Sequence, residues 1–277
     1  MLDKKISHDQ LMISIVEITK KAGLAITEIY NSDFDYQLKK DASPITEADN
    51  LSHKIITERL KMLTPEIPIL SEENCDISYK IRSKWNQYWL VDPMDGTKEF
   101  IKRNGEFTVN IALIDQNIPK MGVIHIPVTN ETYWGSEVSG AFYQDNNNDV
   151  KKICVSGDHK NPIRIVVSRS HPSKILNDLL KTINDYEIIE VGSSIKFCHI
   201  ASGKADCYPR FGPTSEWDTA AGEAIVHSAG GHVVTASGDS MNYNLKETYL
   251  NPNFIVSNDR ITSKRILSII NTSKNST

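Results

Sequence analysis

The sequence predicts a protein built from mixed layers of α-helices and β-strands. From Ser7 to about Tyr30 apolar residues recur at helical spacing, whereas the chain after residue 97 holds short β-rich runs separated by turn residues. Beyond residue 163 strands and helices alternate, and no internal repeat interrupts their order. This order of elements is typical of mixed α and β layers.

Local signals mark where the predicted elements begin and end. Ser7 with Gln10 fits a capping box at the first helix, and Thr46 is the predicted N-cap of the second. Gly230 and Gly231 are a C-terminal stop for the last predicted helix. Helices are therefore predicted at residues 7–30, 46–63, 172–183, 194–201 and 217–229. Strands are predicted at residues 67–70, 88–91, 107–114, 121–127, 132–134, 141–143, 163–168, 187–191, 206–211, 232–235 and 253–256.

The bulk properties narrow the class of protein. The chain has 277 residues, enough for one large domain or two intimate lobes, with a weak boundary in the polar stretch at residues 145–162. Its net charge of -4 argues against a nucleic-acid polymer as the main partner. None of the four cysteines forms a C-x-x-C pair, which favours reduced thiols. With no signal pattern and no membrane-length apolar run, we expect a cytoplasmic protein without a transmembrane segment.

Two carboxylates, Asp92 and Asp95, stand on a turn directly after the predicted strand at residues 88–91. Pro93 and Gly96 force the backbone to turn there, so the two side chains cannot both point into a core. The carbonyl of Met94 lies between them and offers a further oxygen ligand. Hard divalent cations require oxygen ligands of this kind. The segment therefore predicts a metal site that handles phosphate, with an ordinary polar turn as the alternative.

Three other acidic residues stand in comparable positions. Glu72 follows the predicted strand at residues 67–70, Asp49 lies in the first turn of the second helix, and Asp218 begins the last one. Each has a simpler alternative, because Glu72 fits a solvated turn and the two aspartates fit helix-end stabilisation. The small residues 220–222 allow another backbone to approach closely, which indicates a crowded site.

These contexts resemble the signatures of the inositol monophosphatase superfamily of metal-dependent, lithium-sensitive phosphatases. The signature D-P-[IVLM]-D-G-T matches residues 92–97, and W-D-x-A-A-G matches residues 217–222. The glutamate element matches at Glu72, and the aspartate of the T-x-x-D element matches at Asp49. The resemblance implies a layered α-β-α-β-α sugar-phosphatase fold. Its active site would lie between an N-terminal α+β lobe, residues 1–155, and a C-terminal α/β lobe, residues 156–277, which carries Asp218 and the nucleotide contacts.

The resemblance also implies a role for each residue. Two or three Mg²⁺ ions would be held by Glu72, Asp92, the Met94 carbonyl, Asp95 and Asp218. Asp49 and Thr97 would orient and deprotonate the attacking water. Residues 97–100, 168–171, 192–198 and 208–213 are similar to 3'(2'),5'-bisphosphate nucleotidases of the bacterial CysQ type. That branch implies substrate binding by His171, Ser193, Lys196 and Arg210, together with Glu72, Met94, Asp95, Gly96, Thr97 and Asp218.

The implied reaction is hydrolysis of the 3'-phosphate of adenosine 3',5'-bisphosphate (PAP), which gives AMP and phosphate and recycles a by-product of sulfate assimilation. The resemblance also implies a peripheral position on the cytoplasmic face of the inner membrane as a second location. An inositol monophosphatase or fructose-1,6-bisphosphatase-like enzyme remains an alternative that would not need His171, Lys196 and Arg210. A catalytically silent nucleotide sensor is a remote alternative, since it gains nothing from Asp49 and Thr97.

Overall fold

The computed structural model describes residues 6–39, 44–157, 162–170 and 173–274. Within them the helices are α1 (His8–Tyr30), α2 (Glu47–Leu63), α3 (Tyr79–Arg82), α4 (Thr97–Ile101), α5 (Lys174–Lys181), α6 (Ile195–Ala201), α7 (Glu216–Ser228) and α8 (Arg260–Lys274). The strands are β1 (Tyr36–Leu38), β2 (Pro44–Thr46), β3 (Ile69–Ser71), β4 (Gln87–Asp95), β5 (Thr108–Asp115), β6 (Ile118–Ile126), β7 (Glu131–Ser136), β8 (Gly140–Gln144), β9 (Val150–Ile153), β10 (Ile163–Ser168), β11 (Tyr186–Val191), β12 (Cys207–Arg210), β13 (His232–Thr235) and β14 (Phe254–Ser257).

Two sheets alternate with three helical layers. One sheet has the order β3-β4-β5-β6-β7-β8-β9, and the other has the order β11-β10-β12-β14-β13. Helices α1 and α2 pack on the outer face of the first sheet, α6 and α7 lie between the sheets, and α8 packs on the second sheet beside α5. This arrangement confirms the predicted layered α-β-α-β-α fold. The lobe limits at residues 155 and 156 remain a prediction.

Capping residues and an apolar stripe, both visible in the sequence, account for the first two helices. Ser7 makes both halves of a capping box with Gln10, and Thr46 caps α2 in the same way with Asp49. The apolar stripe of α1 is buried, with residues such as Ile15 and Ala22 almost wholly shielded from solvent. Packing of this stripe against the first sheet is what stabilises the helix.

The central helix α7 is close-packed on both sides because its residues are small. A Cβ added at Gly122 of β6 would lie 2.3 Å from the carbonyl oxygen of Ala221 in α7. One added at Gly222 would lie 2.3 Å from the ring of Phe197 in α6. The close approach predicted for residues 220–222 is therefore observed, and it brings the start of α7 next to the first sheet.

Several elements differ from the sequence-based predictions. The helix predicted from residue 172 begins at Lys174, and Pro172 lies outside the described residues. Helix α8 was not predicted, because it is rich in Ser, Thr and Ile, and these residues are weak helix formers. Ile266 and Ile270 pack one turn apart into the core, which shows that tertiary burial decides this segment. The short pair β1–β2 and the exposed edge strand β9 were also missed.

Two further properties concern the described residues. All four cysteines are free, and no helix in the described parts of the chain is both long enough and apolar enough to cross a bilayer.

We expect Gly122→Ala to lower the free energy of unfolding by about 1–3 kcal/mol, the usual cost of overpacking a core. The added methyl group would meet the backbone of α7, which cannot swing aside as a flexible side chain can. Gly157→Ala is the matched control, because a Cβ there has no atom within 4 Å. Urea unfolding of the two variants measures the effect, and equal midpoints would contradict the close packing at α7.

Candidate active site

Strand β4 extends to Asp95, beyond the predicted strand at residues 88–91, and its last part is irregular. The register between β4 and β5 shifts between Asp92 and Asp95, so a bulge separates the two carboxylates. The Ser52 hydroxyl of α2 donates to the Pro93 carbonyl at 2.7 Å, which anchors this bulge from the neighbouring helix. Gly96 has a φ of 95° and leads into α4. A Cβ at Gly96 would lie 3.1 Å from the Glu106 carbonyl, so the turn requires glycine for conformation and for space.

Three carboxylates from distant parts of the chain meet at this turn. Oxygen atoms of Asp92, Asp95 and Asp218 lie within 4.8 Å of one another. Asp92 is buried and the other two are partly buried. Asp218 is the third residue of α7, and its Oδ2 accepts the backbone N–H of Ser215 at 2.9 Å. The start of α7 is thus the element that carries the third acid to the first sheet.

Glu72, at the end of β3, lies beside this cluster and within hydrogen-bonding reach of Asp92. The Lys39 ammonium donates to Glu72 Oε1 at 2.8 Å and to Glu73 Oε1 at 2.7 Å. Burial would lower the pKa of Lys39, but the two carboxylates raise it above its ordinary value. Lys39 is therefore a permanent cation at the edge of the acidic cluster.

Asp49 combines a structural contact with a functional one. Its Oδ2 accepts the backbone N–H and the hydroxyl of Thr46, each at 2.7 Å, and this closes the capping box of α2. The Thr97 hydroxyl lies 3.3 Å from Asp49 Oδ1 and 3.5 Å from the Met94 carbonyl. The helix-end interpretation and the catalytic interpretation of Asp49 are therefore compatible, because each uses a different oxygen.

The cluster is electrostatically costly without a cation. Burial and the neighbouring charges of Glu72, Asp95 and Asp218 raise the pKa of Asp92 far above its usual range. Burial and the charges of Asp95 and Glu72 do the same to the pKa of Asp218. Burial, only partly offset by bonds from Thr46, raises the pKa of Asp49 to about 6.

The donor set fits a hard divalent cation. It consists of carboxylate oxygens and the carbonyl of Met94, and Mg²⁺ and Ca²⁺ prefer such ligands. A cation would also remove the repulsion that raises the pKa of Asp92 and Asp218, since opposite charge favours the ionised form. The residues present therefore fit a metal site.

A cavity of about 210 Å³ opens over the cluster. Its walls include predicted site residues from both halves of the chain, namely Glu72, Asp95, Gly96, Thr97, Ser193, Lys196, Arg210 and Asp218. Carboxylates of the cluster and the cations Lys196 and Arg210 therefore line one space, which suits a substrate with more than one phosphate.

Lys196 and Arg210, two of the cations that line the cavity, are held differently. The Lys196 ammonium donates to the carbonyls of Ser193 and Val191 and lies 5.5 Å from the ring centre of Tyr208. Burial lowers its pKa to about 8, so it stays mostly protonated at neutral pH. Arg210 donates to the Pro213 carbonyl at 3.0 Å, while its buried Nε has no partner among the described residues. Arg210 therefore has donors to spare for a ligand.

The turn that carries Ser193 is anchored to the first half of the chain. Glu106 accepts two bonds at 2.8 Å from Arg169 and the N–H of Gly192, also at 2.8 Å. A Cβ at Gly192 would lie 2.9 Å from the Glu106 carbonyl, so only glycine fits there. Arg169, in a segment that sequence analysis assigned to the nucleotide, thus pairs with Glu106.

The structure brings together every predicted site residue that it describes. His171 lies outside the described residues, so its predicted contact stays a prediction. Sequence analysis missed Lys39, which stands in a polar stretch without a motif, and Thr108, which reads as an ordinary strand residue. Thr108 pairs with Asp95 across β4 and β5, a long-range contact that no local pattern in the sequence marks.

We expect Mg²⁺ to stabilise the protein more at about pH 7.5 than at about pH 5. Because the folded-state pKa values of Asp92 and Asp218 are raised, metal-free protein binds extra protons when folded and loses stability as pH rises. The measurement is the melting temperature in Mg²⁺ minus that in EDTA at each pH.

Buried histidines such as His125, whose pKa burial lowers to about 4, contribute equally to both samples and cancel in this difference. Asp92→Asn is the control variant, and it should lose most of the Mg²⁺ response. An equal difference at both pH values would contradict the site.

Comparison with known proteins agrees with this geometry. The model of the inositol monophosphatase family matches residues 8–275. The 3'(2'),5'-bisphosphate nucleotidase CysQ of Salmonella typhimurium is 45% identical over 248 residues, which cover 89% of this chain and 99% of that protein. The nucleotidase CysQ of Buchnera aphidicola is 43% identical, covering 90% of this chain and 94% of that protein.

Solved structures agree as well. CysQ from Bacteroides thetaiotaomicron superposes with a TM-score of 0.81 at 39% identity, over 91% of this chain and 98% of that chain. An IMPase from Thermotoga maritima gives a TM-score of 0.80 at 25% identity, over 97% of this chain and 99% of that chain. The resemblance seen in the sequence motifs is confirmed, and this chain belongs to the inositol monophosphatase family.

Proposed function

We propose that this chain is a Mg²⁺-dependent 3'(2'),5'-bisphosphate nucleotidase that converts PAP to AMP and phosphate. The observation that carries the proposal is the shared cavity, which is lined both by carboxylates of the cluster and by Lys196 and Arg210. Relatives that are named for this activity, at 43–45% identity over nearly their whole length, support it. Recycling of PAP in sulfur metabolism would follow from that activity.

The two phosphates of the substrate would bind at opposite ends of the cavity. In this arrangement the 3'-phosphate lies at the metal ligands Glu72, Asp92, Met94, Asp95 and Asp218. The protein carries a net charge of -4, so attraction for the 5'-phosphate must come from local cations. Arg210 can fork onto two phosphate oxygens, which a lysine ammonium cannot do.

When divalent cations are bound, they neutralise phosphoryl oxygens and make water more acidic. The chain itself supplies position and proton transfer, which dominate phosphoryl-transfer catalysis. The Thr97 hydroxyl donates to Asp49 Oδ1, so its oxygen is free to accept a proton from the attacking water. Water oxygen then bonds to phosphorus, while one water proton passes to Thr97 and Asp49 and the other stays on the phosphate. The bond from phosphorus to O3' breaks, O3' takes a proton from solvent, and AMP leaves with a 3'-hydroxyl.

Asp49 is suited to be the final proton acceptor. Its pKa of about 6 means that it is ionised at neutral pH and yet basic enough to take a proton in the transition state. The capping bonds from Thr46 fix its orientation, so no rearrangement is needed during the reaction. Thr97 and Asp49 would therefore act as one unit.

A sugar phosphatase with the same metal ligands is the competing function. An inositol monophosphatase has no second phosphate to bind, so the buried Nε of Arg210 would stay unsatisfied. Fructose 1,6-bisphosphate does carry a second phosphate, and direct comparison of the substrates distinguishes it from PAP. A cytoplasmic location, and the absence of a nucleic-acid partner, remain our predictions.

The proposal is tested by phosphate release from a panel of PAP, inositol 1-phosphate and fructose 1,6-bisphosphate in Mg²⁺. We expect the highest kcat/KM for PAP, and near loss of turnover in Asp92→Asn, because the metal cluster then lacks a buried ligand. Asp178→Asn, a change of an exposed helix residue, is the control and should behave as the wild type does. A sugar phosphate as the preferred substrate, or full activity after chelation, would contradict the proposal.

Arg210→Ala should lower kcat/KM for PAP about tenfold or more, as expected for losing a charged hydrogen bond of about 1.5–3 kcal/mol. The same variant should keep its weak activity on inositol 1-phosphate, which has no second phosphate. Lys196 is a poorer probe, because it also holds the Ser193 carbonyl next to the cluster. Equal losses on both substrates would mean that Arg210 supports the fold rather than the 5'-phosphate.

A further inference from the structure

A chain of buried hydroxyl groups leads away from the acidic cluster. The Ser193 hydroxyl lies 2.7 Å from Asp95 Oδ2 and, on its other side, 2.6 Å from Thr108 Oγ1. Ser193 has a φ of 52°, which is uncommon for a residue with a side chain and costs conformational energy. Such a conformation persists where its surroundings hold it, so the position of this hydroxyl is determined by its contacts.

Behind Ser193 the network is sealed from solvent. Thr108 Oγ1 lies 2.7 Å from Ser194 Oγ and 3.0 Å from the side-chain amide of Asn110, and Ser194 lies 2.8 Å from the same amide. Thr108, Asn110 and Ser194 are each at most 2% exposed. Thr108 does not line the cavity, and it meets the acidic cluster only through its backbone pairing with Asp95.

The hydroxyl protons available determine which group donates in each hydrogen bond of this network. An ionised carboxylate only accepts hydrogen bonds, so the single hydroxyl proton of Ser193 points to Asp95. The 2.6 Å contact between Ser193 and Thr108 then needs the proton of Thr108. Thr108 therefore donates to Ser193, which donates to Asp95.

The side-chain amide of Asn110 fits the same donor and acceptor assignment. Its Nδ2 is buried without a partner among the described residues, and an unpaired buried donor is costly. Turning the amide over places Nδ2 next to Thr108 and Ser194 without changing the shape of the side chain. Both hydroxyls would then accept from Asn110, and the Ser194 hydroxyl can donate to Thr108, so the proton of Thr108 is available to Ser193.

We propose that Thr108 is a positioning residue of the metal site, which acts by holding the Ser193 proton on Asp95. This inference rests on the proposed function, in which Asp95 is a metal ligand. With Oδ2 of Asp95 held by Ser193, the carboxylate keeps one orientation toward the cluster. Loss of the Thr108 hydroxyl leaves Ser193 free to rotate away, and the affinity for the metal falls without any change in a metal or substrate contact.

The test measures the Kd for Mn²⁺ alone, by titration calorimetry, together with the melting temperature of each full-length variant. Thr108→Val removes the hydroxyl at nearly constant volume and should raise the Kd about three- to tenfold, the range expected for one hydrogen bond. Thr108→Ser restores the hydroxyl and should stay within about twofold of the wild type. Should Thr108→Val fail to fold, Thr108→Ala takes its place with the same expected Kd.

Thr132→Val is the matched control for burial. Thr132 is a fully buried threonine of the same sheet, and its hydroxyl lies 2.9 Å from His125 Nδ1 instead of near the cluster. This variant should lose stability while its Kd for Mn²⁺ stays unchanged. A similar rise in Kd in Thr132→Val would show that loss of stability alone weakens metal binding, and would overturn the inference.

A double-mutant cycle isolates the pathway through Ser193. Ser193→Gly removes the intermediate hydroxyl and tolerates the positive φ, so it should also raise the Kd. In that background Thr108→Val should add little further loss, because its effect passes through the missing hydroxyl. An undiminished effect of Thr108→Val in the glycine background would overturn the inference.

The inference and the proposed function can fail separately. Normal PAP hydrolysis by the wild type, with the same Kd in Thr108→Val as in the wild type, would overturn only the role of Thr108. Mn²⁺ binding with the expected differences, but no PAP hydrolysis, would overturn only the nucleotidase assignment. A wild type that binds no Mn²⁺ would overturn both.

Discussion

Repulsion between carboxylates that the fold holds in contact is the constraint on which this site depends. Asp92, Asp95 and Asp218 approach within 4.8 Å, in surroundings where burial already disfavours charge. At neutral pH such a cluster is stabilised by a bound cation or by uptake of protons. The architecture around the cluster serves to keep these acids together in spite of their repulsion. The bulge in β4 supplies two of them, and the close packing of α7 on Gly122 supplies the third.

Helix capping fixes the orientation of two of the acidic side chains. Asp49 and Asp218 are both the third residue of a helix, and each uses Oδ2 to accept a backbone N–H at the helix start. This contact fixes the side chain before any ligand arrives, and it leaves the other oxygen of each carboxylate for chemistry. The same few residues therefore specify both the helix ends and the geometry of the site. This explains why the sequence was equally consistent with helix-end stabilisation and with a site role for these two aspartates.

The site also depends on the docking of the two halves of the chain. The segment after β11 is joined to both ends of α4. Ser193 contacts Asp95, which precedes α4, and the N–H of Gly192 donates to Glu106, which follows α4. Lys196 then holds the Ser193 carbonyl, so a residue predicted to bind substrate also maintains the turn. Because these acidic and cationic side chains belong to different elements in both halves of the chain, local unfolding of either half would separate them.

The layered fold class, most helices and strands, and the acidic residues of the site could be predicted from the sequence. Helix periodicity, turn residues and two short motifs are local signals, which the sequence shows directly. Those signals place Asp92 and Asp95 on one turn, but they carry no distances between segments. Three contacts appear only in the tertiary structure. Asp218 lies next to Asp92 and Asp95, Lys39 pairs with Glu72, and Thr108 contacts the Ser193 hydroxyl. Helix α8 belongs to the same group, since its weak helix formers fold only against the second sheet. Contacts between residues far apart in sequence depend on packing and on mutual burial, and no local pattern encodes either of these.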